Sequence, residues 1–97
     1  LRELLSEKHK EICQELNDEF NQKQVLYGNS YIELLESFGE LPAVLRLNEK
    51  NEKYKTAYKN GNTQVSDEPP RTTLLDLANY CIQTVMWLDE NSEKEGK

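Results

Sequence analysis

Between Thr72 and Leu88 the chain is apolar around most of a helical circumference, with Leu74, Leu75, Leu77, Ala78, Ile82, Val85, Met86, Trp87 and Leu88 spread over its faces. A helix of that kind is normally covered by neighbours on more than one side. One narrow polar line interrupts it. Thr72, Asp76, Asn79 and Gln83 succeed one another at steps of four, three and four, which places them on one face. A carboxylate among apolar neighbours is costly unless it meets a cation, a donor or a metal. Asp76 therefore either pairs with a basic residue of another helix or faces a ligand.

Upstream, residues 2–26 predict a first helix. Leu5, Ile12, Leu16, Phe20 and Lys23 fall near helical spacing, widened by Leu4 and Cys13. His9 lies on or beside that stripe as a boundary residue. Tyr27-Gly28-Asn29-Ser30 breaks the helix, since Gly28 accepts a left-handed conformation and Asn29 or Ser30 can cap the next helix. A second helix starts at Tyr31 with Ile32, Leu34, Leu35 and Phe38 as its apolar side. Gly39 and Pro42 mark a bend, because proline suits a first helical turn but not an interior. A third helix is expected from about 42 to 59, with Val44, Leu47, Tyr54 and Tyr58 as its stripe. Arg46, Glu49 and Lys53 then form the opposite, solvated charged face. A loop is expected at about 60–70, ending in Pro69-Pro70, and a frayed charged tail at about 91–97. No alternating β-branched run predicts a strand. The expectation is a single all-α domain over residues 1–97, a small bundle of three to four helices, with Leu75, Ala78, Ile82, Val85 and Leu88 largely buried. The apolar circumference around Asp76 exceeds what so short a chain covers easily, so a homodimer or higher oligomer is expected.

The net charge of −6, from 18 acidic and 12 basic residues, argues against direct binding to nucleic acid or an anionic membrane. No stretch approaches the roughly 20 apolar residues of a membrane span. The opening residues, from Leu1, show no secretory-signal pattern, so a cytoplasmic location is expected. Cys13 and Cys81 are far apart and lack any metal-site spacing, so both are expected to be free core thiols. No phosphate-loop, dinucleotide or zinc-protease motif occurs, and the single histidine argues against a histidine-activated nucleophile. Any chemistry has to run on carboxylates, a metal and basic side chains.

Four segments in order resemble a known family: Phe20-Asn21-Gln22-Lys23 with Tyr27-Gly28-Asn29-Ser30-Tyr31; Phe38-Gly39; Leu45-Arg46-Leu47-Asn48-Glu49-Lys50-Asn51-Glu52-Lys53; and Thr73-Leu74-Leu75-Asp76-Leu77-Ala78-Asn79-Tyr80. The chain resembles the phage and prophage family called nucleotide modification associated domain 1. That family is similar to the all-α nucleoside triphosphate pyrophosphohydrolases, the MazG and dimeric dUTPase group. The resemblance spans about residues 12–89. It implies an all-helical fold whose acidic residues hold Mg²⁺, with the metal polarising a triphosphate and activating water. By the same resemblance, Asp76 and Glu49 are the metal candidates, and Arg46, Lys50 and Lys53 the phosphate-binding ones. Lys23, Tyr27, Asn79 and Tyr80 are the nucleotide-binding candidates. Glu49 stands where the family usually has Asp, and Lys53 where it often has Arg. Thr72 and Thr73 occupy places where an acidic residue is usual. The nearest upstream carboxylates are Asp67 and Glu68, while Glu33 and Glu36 form no E-E-x-x-E pattern.

Two functions stand as expectations. The first is nucleotide binding, or Mg²⁺-dependent pyrophosphohydrolase-like chemistry linked to nucleotide modification. The alternative is a non-catalytic acidic interaction protein, such as a phage inhibitor of a host nucleic-acid-binding defence enzyme, acting in the host cytoplasm. A ligand-free structural oligomer is a third.

Overall fold

The computed structural model describes residues 1–61 and 69–94. Four helices occur in order: α1 (Arg2–Tyr27), α2 (Ser30–Phe38), α3 (Leu41–Lys59) and α4 (Pro70–Lys94). No strand occurs among the described residues. The small all-helical bundle expected from the sequence is therefore present. No helix is long and apolar enough to cross a membrane.

Two glycines set the joints. Gly28 ends α1 at φ 67°, ψ −148°, and Gly39 ends α2 at φ 74°, ψ −148°. Side chains other than hydrogen are almost excluded from that backbone region. Each glycine N–H closes the preceding helix, Gly28 on the Gln24 carbonyl and Gly39 on the Leu35 carbonyl, both at 2.9 Å. Asn29 takes the N-cap position of α2 without a side-chain capping bond. Pro42 sits in the first turn of α3, where its missing N–H costs nothing.

Three of the buried residues, Tyr31, Leu35 and Ala43, form one cluster, with Ile32, Tyr80 and Trp87 packed against it. Leu35 is completely enclosed. The Tyr31 and Tyr80 rings meet edge to face, centroids 4.8 Å apart. The Thr84 hydroxyl donates to the Tyr80 carbonyl at 2.7 Å. Its single proton is thereby used, so the Tyr31 hydroxyl is the donor in the 3.0 Å bond between Tyr31 and Thr84. A short chain of bonds thus pins α2 to α4.

α3 and α4 run antiparallel, with Arg46 opposite Tyr80 and Lys50 opposite Asp76. Here the expected stripe of α3 is corrected. Val44 and Tyr58 are exposed, and the face turned inward carries Ala43, Arg46, Leu47, Lys50 and Ala57. Small alanines let the helices approach, and the aliphatic stems of Arg46 and Lys50 cover apolar surface while their heads reach polar partners. Hydropathy alone scores those two as outward-facing.

Burial is also corrected on α4. Leu75 is buried and Ala78 half-buried, but Ile82, Val85 and Leu88 are exposed in the single chain. The other three helices cover only part of α4's apolar circumference. On α1 only Leu16 is buried, while Leu4, Leu5 and Ile12 face outward. Cys13 and Cys81 are free, as expected, but on the surface rather than in the core. His9 is exposed and contacts Cys13 Sγ at 3.7 Å through Nδ1. The helical end of α4 runs to Lys94, past the expected start of fraying. Most of the expected loop, residues 62–68 with Asp67 and Glu68, lies outside the described residues, as do residues 95–97.

Candidate functional site

Asp76 is the centre of the site because of where its helix runs. α4 lies between α1 and α3, and the polar line on α4 faces both. From α1, Lys23 Nζ donates to Asp76 Oδ1 at 3.0 Å; from α3, Lys50 Nζ donates to Oδ2 at 3.1 Å. Each carboxylate oxygen therefore carries one ammonium group. The two lysines differ in exposure: the Lys50 side chain is 12% exposed and that of Lys23 51%, against 13% for Asp76. Burial alone pushes the Asp76 carboxyl up, but the hydrogen bonds and charges of Lys23 and Lys50 outweigh it and hold it below the usual carboxylate range. Burial pushes Lys23 down, yet its bond to Asp76, with the nearby Tyr80 and Glu19, raises it above the ordinary lysine value.

Beside this triad lies a cleft of about 350 Å³ between α1, α2 and α4. Lys23, Tyr27, Asp76, Asn79 and Tyr80 line it together. Five of the nine residues singled out from the sequence thus converge there. Phe20, Gln24, Gly28, Ser30, Tyr31 and Gln83 complete its walls, and none of the six is among the site candidates read from the sequence. Gln83 is legible as part of the polar line on α4. Tyr31 reads from sequence as the start of a helix, and only the fold brings it to the cleft. Asn79 is buried, and its amide nitrogen donates to the Leu16 carbonyl at 3.2 Å, so it helps hold α1 against α4.

Lys50 joins the site through Asp76, and the other three candidates sit elsewhere. The Arg46 guanidinium carbon stands 5.5 Å from the centroid of Tyr80, a cation–π distance, on the α3 side of that ring. Arg46 also reaches Glu49 at 3.8 Å within α3. Both line a second groove, of about 360 Å³, with Leu34, Phe38, Leu41 and Leu45. Glu49, its side chain 64% exposed, is thus placed with Arg46 on that groove rather than on the Asp76 cleft. Lys53 is exposed on α3.

Two further charges shape the α1–α4 contact. Arg71 grips Glu15 in a bidentate pair, 2.8 Å to one oxygen and 2.7 Å to the other. That pair lowers the Glu15 carboxyl from its ordinary value. Glu19 lies one turn along α1 from Glu15, and its Oε2 is buried with no hydrogen-bond partner among the described residues. Its charge acts on both Lys23 and Arg71. The signal for this row is the four-residue spacing of Glu15, Glu19 and Lys23, adjacent to Leu16 and Phe20 on the same helix.

Among the described residues, no group of three or more histidine, cysteine, aspartate or glutamate side chains is gathered to hold a metal. Asp76 is the cleft's carboxylate, and both its oxygens are engaged by ammonium groups. A divalent cation would have to displace a lysine to reach it. No protein-family model matches the chain, and no curated protein or solved structure matches it either.

Proposed function

We propose that the cleft between α1, α2 and α4 binds a nucleoside phosphate. The resemblance to nucleotide-handling helical families points the same way. The observation that carries the reading is the pairing of two lysines on one carboxylate beside an aromatic, amide-lined cleft. Asp76 acts as a resident anion that keeps Lys23 in place at the cleft. An incoming phosphate oxygen takes over as the acceptor for Lys23, the more exposed lysine, while Lys50 stays on Asp76 and keeps it paired. Bonds between ammonium and phosphate are charge-assisted and among the stronger contacts a surface site offers. Tyr27, Tyr31 and Tyr80 supply ring faces and edges for a base, and stacking of that kind contributes about 1–3 kcal/mol per base. Gln24, Asn79 and Gln83 offer both donors and acceptors to its polar edge. The reading is one of binding. The alternative, an acidic inhibitor of a basic host enzyme, rests on the charge of −6 and on Thr72 standing where the resembled family usually has an acidic residue.

Calorimetric titration with nucleoside mono- and triphosphates, with and without Mg²⁺, tests the reading. Binding is expected without the metal, and Lys23→Met is expected to weaken it about tenfold while the fold stays intact. Absence of binding heat for every nucleotide in both conditions would sink the proposal. Strict Mg²⁺ dependence that disappears in Asp76→Asn would reassign Asp76 as a metal ligand.

A further inference from the structure

We propose that the cleft between α1, α2 and α4 selects a nucleoside monophosphate over the di- and triphosphate of the same nucleoside, and that Glu19 sharpens the choice. The inference rests on the nucleotide reading and names the ligand class within it. It begins with the charges. Among the described residues that line the cleft, Lys23 and Asp76 alone are charged, and they cancel. Lys50, the second cation on Asp76, is 12% exposed and holds the carboxylate from the α3 side. One ammonium group, that of Lys23, is therefore available to a phosphate. A phosphate monoester carries about −1.5 to −2 at pH 7. Lys23 offsets about half of that. Each further phosphate adds negative charge that no second cation of the cleft wall meets, in a chain that already carries −6.

Glu19 adds to the restriction. It precedes Lys23 by one turn of α1, and its charge acts on Lys23. Its Oε2 is buried with no hydrogen-bond partner among the described residues. Arg71, the nearby cation, gives two bonds to Glu15 instead. Glu15, Arg71 and Glu19 together leave one uncompensated negative charge a turn away from Lys23. Lys23 thus feels two carboxylates before a ligand arrives, Asp76 in contact and Glu19 at longer range. A single phosphate can replace Asp76 as the partner of Lys23. A chain of two or three phosphates brings more charge into the same negative field. Size points the same way. The cleft's volume of about 350 Å³ is near the lower end of small-molecule sites, roughly 300–1,000 Å³, which suits a ligand with one phosphate better than an extended chain.

The test is calorimetric titration of the full chain in chelator-treated, metal-free buffer at about 0.01 M salt. The probes are thymidine with its mono-, di- and triphosphate, and the matching adenosine series. The monophosphate is expected to bind tightest and the triphosphate about tenfold more weakly. The gap is expected to close at about 1 M salt, where the screening length is only about 3 Å. Glu19→Gln is expected to bring the triphosphate to within about threefold of the monophosphate, because the lost repulsion grows with ligand charge. Glu19 is half-buried, so Gln24→Lys, at an exposed position on the cleft wall, is the second variant. Its added cation is expected to reverse the order and favour the triphosphate. A wild-type chain that binds triphosphate as tightly as monophosphate, or tighter, would overturn the selection and leave the cleft a nucleotide site. So would a gap that persists at high salt, or an order that Gln24→Lys does not move. An unchanged ratio in folded Glu19→Gln would overturn the part assigned to Glu19. Heat from none of the probes would overturn both the selection and the nucleotide reading beneath it.

Discussion

Lys50 and Asp76 are 26 residues apart in sequence and meet at 3.1 Å with both side chains nearly out of water. Removing one member of such a pair strands the other. Asp76→Asn is expected to cost about 3 kcal/mol, at the lower end for a broken buried pair because both groups keep some contact with solvent. Lys50→Met is expected to cost less, since Lys23 remains on the carboxylate and the methionine stem replaces the lysine's packing. Lys23→Met is expected to change stability by no more than about 1 kcal/mol, as for an exposed ion pair. Urea denaturation of the three variants gives the order. Equal losses at Lys23 and Lys50 would show that exposure is not what separates them.

The pH dependence arises from the same triad. The Asp76 carboxyl is depressed in the folded chain, so its stabilising contribution is complete above about pH 4, the unfolded carboxylate range. It is lost as pH falls through the depressed folded value. Glu15, held down by Arg71, acts in the same direction. Lys23 is raised, so its contribution is complete below about pH 10 and is lost as pH rises through the elevated folded value. Melting temperature is therefore expected to plateau between about pH 5 and 9 and to fall on both flanks. In Asp76→Asn both flanks are expected to flatten. An unchanged acid flank in that variant would place the acid sensitivity elsewhere.

Tyr31 and Thr84 offer an asymmetric pair of mutations. Tyr31→Phe removes a donor but leaves the Thr84 oxygen with a role, since it still donates to the Tyr80 carbonyl. A loss of about 1 kcal/mol is expected. Thr84→Val instead leaves a buried tyrosine hydroxyl without its acceptor, and the expected loss is larger, about 2 kcal/mol. Thermal denaturation of the two single variants gives the comparison, and a Tyr31→Phe loss greater than that of Thr84→Val would reverse the assigned donor.

Gly28→Ala isolates backbone strain. A Cβ at Gly28 meets nothing within 4 Å, so no clash enters. The cost is that of forcing alanine into φ 67°, ψ −148°, about 1–3 kcal/mol. The same holds for Gly39→Ala. Guanidine midpoints that do not move would mean that the joint relaxes to another geometry, which circular dichroism of the flanking helices would register.

Much of the fold is legible in the sequence. Gly28, Gly39 and Pro42 punctuate the chain with chemistry that has few other uses, so the helix boundaries fall within a few residues of the expected ones. Asp76 is legible too, because a carboxylate on an apolar helix needs a partner. So is Lys23, a cation on an otherwise apolar stripe. The face of α3 is not. Ala43 and Ala57 score weakly as hydrophobic, and Arg46 and Lys50 score as surface, yet their stems pack and only their heads are polar. Periodicity reads the average character of a side chain, and here one end of each lysine or arginine decides the matter. The exposure of Ile82, Val85 and Leu88 is illegible for a different reason. A hydrophobic pattern says that a face will be covered but not whether the cover comes from the same chain.

Glu15, Leu16, Lys23, Tyr31, Arg46 and Lys50 all find their interhelical partners on α4, the last of the four helices. During synthesis at roughly 5–20 residues per second, α1, α2 and α3 leave the ribosome seconds before α4 does. Over that interval their apolar faces have little to settle on beyond the contact of α2 with α3 through Leu35 and Ala43, and isolated helices of their length are marginal in water. The chain therefore acquires most of its tertiary structure late, when the segment after Pro70 arrives and gathers the three earlier helices around itself. A stalled nascent chain ending before α4 is correspondingly a target for chaperones and proteases rather than a partly built domain.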